Sequence, residues 1–296
     1  MRIRQIKSWK MKKVTNKNLQ DAKRNKNDEF YTRYEDIEKE ITNYKEYLKG
    51  KWIYSPCDDF RWSEFKTYFK NNFEELGLKH YTCTCLNIGN GAWRYDFDGK
   101  TETLTQLEGN GDFRSEECTK IMKECNVVIT NPPFSLFKEF ITWLNVDFIV
   151  VGNKNAMLWK TIFPKYYYKQ LYFGYNYISK FRLPDNTFNW FQGSGRWFTT
   201  FPVIKENPPI ALKPYAEDKY PKYDTYDAVN TDSIRDIPDY NGEIGVPIGI
   251  LDYLCKDQFT ITGMLCRGSG DIDKAKPIIN GQHLYSRVLI KKNHKQ

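Results

Sequence analysis

The apolar run Asn126-Val127-Val128-Ile129-Thr130 is stopped by two consecutive prolines in Asn131-Pro132-Pro133-Phe134, and no other stretch constrains the fold as much. A proline fixes φ, lacks an amide donor and drives the residue before it into extended geometry, so a strand can run up to Asn131 but cannot pair beyond it. Its centre, Val127-Val128-Ile129, is apolar without alternation, as in a strand buried on both faces of a parallel sheet. A helical pattern from Ser135 to Leu144 follows. Open α/β sheets bind ligands just beyond the carboxyl ends of their strands, which is where this elbow falls.

The elbow suits one kind of chemistry. An exocyclic amine of a nucleobase is a poor nucleophile because its lone pair is delocalised into the ring, so it needs two acceptors and a flat wall. The Asn131 side-chain oxygen and the Pro132 carbonyl can each accept one N–H, Pro133 holds the acceptors rigid, and Phe134 can stack on the base. Catalysis by such a site is positioning and electrostatics, without a strong general base. The competing reading is an ordinary proline turn between strand and helix.

Around the elbow, helical and strand patterns alternate. Apolar residues at helical spacing (Ile37, Ile41, Tyr44, Leu48) predict a helix over 35–49, and Phe65, Tyr68, Phe69, Phe73 and Leu76 predict another over 63–76. Strands are predicted at 51–55, 80–86, 127–130 and 148–151, helices at 115–125 and 135–144, and a hairpin or long loop over 87–111. This order implies an α/β fold with a doubly wound, mostly parallel sheet. Gly89-Asn90-Gly91 reads as a plain turn. From Trp159 to Phe201 aromatics interleave with bases. Leu171-Tyr172-Phe173 and Trp197 to Phe201 read as strands within that stretch. The polar excursion 186–196 reads as a surface loop whose Asn186, Asn189, Gln192 and Arg196 face a nucleic acid, with core packing the alternative for the aromatics. Residues 202–239 are proline-rich and read as irregular; beyond them we expect only a short unit with a helix-like turn at Leu251 to Leu254 and a last strand near 284–290.

The net charge of +8 is concentrated at the start: residues 1–27 carry ten bases against the single acid Asp21, leaving the remainder near neutral. Such an arm is attracted to a polyanion; a solvated tail and a transit peptide are the alternatives. We therefore divide the chain into a basic arm, 1–27, and a catalytic domain, 28–296, with DNA-recognition insertions in 180–296. Seven cysteines without paired Cys-x-x-Cys spacing argue for reduced thiols and against a zinc site, so no metal is expected. No stretch approaches 18 consecutive apolar residues and no apolar segment marks the N-terminus. The expectation is a cytoplasmic protein with no membrane partner.

A methyl donor needs a pocket near the first strands, where the turn is Ser55-Pro56-Cys57-Asp58-Asp59-Phe60. S-adenosylmethionine carries no phosphate and does not need a glycine-rich turn. Its amino group and sulfonium are cationic, so Asp58 or Asp59 can hold the amino end, with helix capping as the alternative. In Gly111-Asp112-Phe113-Arg114-Ser115, Asp112 can accept from an adenine amino group while Phe113 covers the ring; capping is again the alternative.

In order along the chain, Asn27-Asp28-Glu29-Phe30-Tyr31-Thr32, Cys57-Asp58-Asp59 with Ser63 and Phe65, Gly111 to Ser115, Asn131 to Phe134, Trp197-Phe198-Thr199, and Gly245 to Ile248 with Asp257-Gln258-Phe259 resemble the EcoRI-type adenine-specific DNA methyltransferase family. The resemblance runs from about residue 19 to the C-terminus. It implies a Rossmann-like fold and methyl transfer from S-adenosylmethionine to N6 of a flipped adenine in double-stranded DNA, in a restriction-modification or phage setting, with a cognate restriction endonuclease as a partner. It also implies that Phe30 and Thr32 line the methionine end of the cofactor, that Asp58 and Asp112 bind it, and that Asn131 to Phe134 are catalytic. Phe60 departs from the family pattern, where a proline is expected. Adenine in RNA, a protein glutamine amide, and nucleic-acid binding without catalysis are the competing readings.

Overall fold

In a computed structural model of the chain, residues 31–86, 91–183 and 187–293 are described, without the side chains of 189–193. The basic arm, Phe30, the turn at 89–90 and Asn186 lie outside them. A helix, α1 (Tyr34–Ile41), leads through a 3-10 turn into α2 (Lys45–Leu48) and then β1 (Trp52–Pro56). Next come α3 (Glu64–Asn71), β2 (His80–Cys85) and the hairpin of β3 (Trp93–Phe97) and β4 (Glu102–Gln106). The elements α4 (Glu116–Glu124), β5 (Val127–Thr130), α5 (Phe137–Trp143) and β6 (Asp147–Asn153) follow. After α6 (Phe163–Tyr167), the strands β7 (Tyr172–Arg182) and β8 (Phe188–Thr199) close the sheet.

These eight strands are ordered β4-β3-β2-β1-β5-β6-β8-β7. The central four, β2, β1, β5 and β6, are parallel, and antiparallel pairs flank them. The doubly wound α/β class expected from the sequence is therefore present. Adjacent residues of the central strands serve opposite faces, as the two-residue period of a strand requires. Ile53, Val127, Ile129 and Ile149 join Ile37, Tyr44, Phe65 and Phe69 of the helices on one side. Tyr54, Val128 and Val150 join Ile121, Met122, Phe137 and Phe140 on the other. Burial of each such side chain contributes roughly 1.5–3 kcal/mol, so helices on both faces are needed to cover the sheet. Ser63 caps α3 by accepting from Phe65 N at 3.1 Å, and Ser115 caps α4 by accepting from Cys118 N at 3.3 Å.

The chain passes from β1 to β2 on one side and later returns to place β5 on the other, so the crevice between the carboxyl ends of β1 and β5 is the switch point of the sheet.

Two expectations are corrected. The stretch 186–196 is not a loop: most of it belongs to β8, which pairs with both β6 and β7. Arg196 is 1% exposed, so it cannot read DNA bases from this position. Its guanidinium donates to the carbonyls of Asn176 (2.9 Å) and Gly174 (3.1 Å) and lies 4.2 Å from the centre of the Tyr177 ring. It also approaches Asp252 Oδ1 to 2.7 Å, an ion pair without hydrogen-bond alignment. These carbonyls are free to bind it because β7 bulges between Phe173 and Tyr177. The carboxylate of Glu40 on α1 takes up the corresponding amides, Tyr175 N at 2.8 Å and Asn176 N at 2.7 Å. Gly174 is required at the bulge, because a Cβ there would lie 2.2 Å from Glu40 Oε1.

The second correction concerns the C-terminal region, which forms a five-stranded sheet rather than a short unit. Its strands are β9 (Ala228–Asn230), β10 (Glu243–Val246), β11 (Phe259–Leu265) and β12 (Asp273–Ala275), then, after the small hairpin β13 (Ile278–Ile279) and β14 (Gln282–His283), β15 (Arg287–Lys292). Their order is β12-β11-β15-β10-β9. Phe163 of α6 packs into its core with Val229, Ile244, Phe259 and Ile290. Leu251 to Leu254, expected as helix-like, overlaps a 3-10 turn at Ile248–Asp252.

Because Arg196 and Asp252 are both buried, Asp252→Ala would leave an uncompensated cation and is expected to cost about 3–5 kcal/mol in denaturant unfolding. The double variant Arg196→Met with Asp252→Leu should lose less than that single change; a larger loss would contradict the reading of this pair as a desolvated ion pair.

Candidate active site

A cleft of about 950 Å³, its open mouth included, lies at the switch point. It is lined by the turn after β1 (Cys57, Asp58, Asp59), the end of β2 (Cys85, Leu86), the 111–113 loop, the elbow after β5 (Asn131 to Phe134), and Tyr31 with Thr32. Segments far apart in sequence therefore converge because parallel strands end at one edge.

Two hydroxyls join the strand ends. Ser55 Oγ donates to the Ile129 carbonyl at 2.6 Å, and Thr130 Oγ1 lies 2.5 Å from Asp58 Oδ2 while also contacting the Pro56 carbonyl. Thr130 has one hydroxyl hydrogen and faces two acceptors. The arrangement is satisfied when Asp58 is protonated and donates to Thr130, which then donates to Pro56. Burial pushes the Asp58 carboxyl up to about 7, against the opposing effect of its hydrogen bonds from Thr130 and Ser63. Ser63 Oγ donates to Asp58 Oδ1 at 2.8 Å, so the residue that caps α3 also orients the carboxyl. The turn is strained: Cys57 has φ +70°, the left-handed region, which non-glycine residues adopt mainly where surrounding structure holds them.

The other carboxyls differ. Asp59 is buried and paired with Arg61, which donates Nε at 2.8 Å and a second guanidinium nitrogen to the other oxygen. Its own helix-capping alternative falls to Ser63. Asp112 is held by Arg114 through Nε at 2.8 Å and a terminal nitrogen at 2.7 Å, and this partner holds its carboxyl below the usual range. Capping of α4 falls to Ser115. Phe113 is 3% exposed and packs edge-on against Phe140 and Trp143, contributing an edge to the cleft. Gly111 has φ +73°, and a Cβ there would lie 2.1 Å from the Cys85 carbonyl oxygen. Only glycine lets this loop close against the end of β2.

At the elbow, Pro132 is buried and Pro133 precedes the 3-10 turn Phe134–Leu136. The Phe134 ring is held edge-on by Phe181, centroids 5.7 Å apart. Thr32, predicted to line the cofactor, is buried on the cleft wall, and its Oγ1 has no hydrogen-bond partner among the described residues.

A buried hydroxyl, a carboxyl whose charge burial disfavours, and a loop pressed close by glycine could hold a cationic methyl donor such as S-adenosylmethionine. Thr32 and Asp58 can hold its amino-acid end, and the 111–113 loop its adenosine end.

The structure thus gathers Thr32, Asp58, Asp59, Asp112, Phe113 and Asn131 to Phe134 at one cleft. It does not bring Arg196 there, and the side chains of Asn189 and Gln192 lie outside the described residues. Sequence reasoning missed Tyr31, Trp62 and the roles of Ser63 and Thr130. Thr130, a polar residue ending an apolar strand, was the available signal; Trp62 carried none.

The sequence matches the model of the adenine-specific methyltransferase EcoRI family over residues 18–293. It is 34% identical to type II methyltransferase M.EcoRI of Escherichia coli over 96% of this chain and 98% of that protein. It is also 34% identical to type II methyltransferase M.MgeORF184P of Mycoplasma genitalium, covering 92% and 97%, and 33% identical to M.MpnI of Mycoplasma pneumoniae, covering 91% and 96%. No solved structure matches it. With the elbow and cleft at the switch point of a parallel sheet, and a match spanning nearly its whole length, the chain belongs to the EcoRI family of adenine-specific methyltransferases.

Proposed function

We propose that the protein methylates N6 of adenine in double-stranded DNA with S-adenosylmethionine as donor. The observation that carries this reading is the opening of the Asn131-Pro132-Pro133-Phe134 elbow into the same cleft as Asp58 and Thr32. When bound, S-adenosylmethionine supplies an electrophilic methyl group on a sulfonium.

The protein's part is to present and activate the amine. The Asn131 carboxamide oxygen and the Pro132 carbonyl accept its two N–H groups, which draws the nitrogen toward tetrahedral geometry and localises its lone pair. Phe134 gives the base a wall, with its ring orientation fixed by Phe181. An adenine must leave the duplex to reach such a cleft, at a cost of a few kcal/mol. Residues 180–296, with the C-terminal sheet, carry site recognition, and the basic arm adds non-specific attraction to phosphates. A restriction endonuclease that cuts the same unmethylated site is the partner such an enzyme guards against. Among the described residues no helix is long and apolar enough to cross a membrane.

Asn131→Ala removes one acceptor without touching Thr32 or Asp58. Transfer is expected to fall by about 10²-fold or more while cofactor affinity stays within about threefold, measured by labelled-methyl transfer and calorimetry. Full activity would refute the role of the elbow.

Asp58 predicts a pH dependence. Its carboxyl is raised to about 7 by burial, so below that pH it is neutral and must release a proton to hold a cationic amino group. Affinity for S-adenosylmethionine should fall by up to about tenfold per pH unit below pH 7 and level off above it. Calorimetry in buffers of different ionisation enthalpy should show proton release at pH 6, and Asp58→Asn should abolish it. Proton release unchanged in that variant would contradict the assignment.

A further inference from the structure

Trp62 lines the cleft into which the elbow opens, yet it belongs neither to the core nor to the groups assigned above to the methyl donor. It is 41% exposed, whereas Phe113 on the 111–113 loop is 3% exposed and Thr32 is 4% exposed. The indole is nonetheless held in place. Asp59, which is buried, accepts from Arg61 N at 2.9 Å and from Arg61 Nε at 2.8 Å, and its backbone carbonyl accepts from Trp62 N at 3.2 Å. The guanidinium fixed in this way lies 4.5 Å from the centre of the Trp62 ring. A buried carboxylate thus sets an arginine, and the arginine braces an exposed indole.

Trp62 is also tied to the wall that carries the elbow. Phe181, near the end of β7, packs edge-on against Phe134, with ring centres 5.7 Å apart. The next residue, Arg182, donates to the Trp62 carbonyl at 3.4 Å. Trp62 and Phe134 therefore draw support from adjacent residues of one strand, and both reach the same cleft. A purine that enters beside Phe134 has two faces, and one ring covers only one of them. The donor's proposed partners, Thr32 and the 111–113 loop with Phe113, are covered by protein, whereas Trp62 is open to solvent. An open ring with a cation behind it suits a flat group that arrives from outside, as a base turned out of a duplex does.

We propose that Trp62 is a substrate-binding residue: its indole stacks on the flipped adenine as a second aromatic wall beside Phe134, and Asp59 and Arg61 form the strut that holds it ready. The inference rests on the reading of the protein as a DNA adenine methyltransferase. Asp59 then serves the base rather than the donor.

The test removes the ring and the base separately and together. Two duplexes carry the site at which the wild-type protein methylates plasmid DNA, one intact and one with an abasic target nucleotide, and affinities of the full-length protein are measured with S-adenosylhomocysteine present. Trp62→Ala is expected to weaken binding of the intact duplex by about tenfold and of the abasic duplex by less than about twofold, because the ring and the base interact with each other. Trp62→Phe keeps a ring and should stay within about threefold of wild type on the intact duplex. Trp62→Leu keeps apolar bulk without a ring and is expected to show the same selective loss as alanine, so it carries the test if Trp62→Ala proves unstable. Equal losses on the two duplexes, or a loss below about twofold on both, would overturn the proposal. So would a tenfold loss of S-adenosylhomocysteine affinity in Trp62→Ala without DNA, which would put the ring against the donor; that affinity should stay within about twofold. Failure of the wild-type protein to methylate any plasmid DNA would instead overturn the functional reading on which the inference rests.

Discussion

The hydroxyl of Thr130 holds the ends of β1 and β5 together, and the functional arrangement depends on that junction. It contacts the Pro56 carbonyl on one side and the Asp58 carboxyl on the other, at the point where the sheet changes winding direction. The residue after it is Asn131, so one side chain ties the Asp58 carboxyl to the start of the elbow. Two prolines then prevent the strand from drifting into further pairing, which makes the elbow a rigid extension of the sheet.

The cleft divides its labour by electrostatics. Of the three carboxyls, Asp59 and Asp112 are each claimed by a neighbouring arginine two residues on, whereas among the described residues the Asp58 carboxyl meets the hydroxyls of Ser63 and Thr130. A carboxyl without a cation, in a place where burial disfavours its charge, is the one that responds when a cationic ligand arrives. Within 159–201, Phe163, Phe173, Phe181, Trp197, Phe198 and Phe201 fill the core, whereas Trp159, Tyr168, Tyr177 and Phe188 are exposed. Trp197 is fully buried, and Arg196 beside it spends its charge on backbone carbonyls and Asp252.

Much of this was legible in the sequence. The strand before the prolines, the helices with Ile37 and Ile41 or Phe65 and Phe69 at helical spacing, and the turns at Asp58 and Gly111 all follow from local periodicity and turn chemistry, and the structure has them, with the first helix broken by a 3-10 turn at Thr42–Tyr44 and the second ending at Asn71 rather than near 76. Arg196 was misread because a polar, glycine-containing stretch looks like a loop when seen alone. Its strand character comes from pairing with β6 and from the bulge of β7, both non-local. The C-terminal sheet was missed for the same reason: its strands β9 and β12 are three residues long and exist only through their partners.

The most direct test of the central claim is to incubate the protein with methyl-tritiated S-adenosylmethionine and unmethylated plasmid DNA, digest the DNA to nucleosides, and identify the labelled one. The account predicts label in N6-methyldeoxyadenosine alone. Label in a methylated cytosine, or none in DNA but label in RNA or a protein amide, would contradict it.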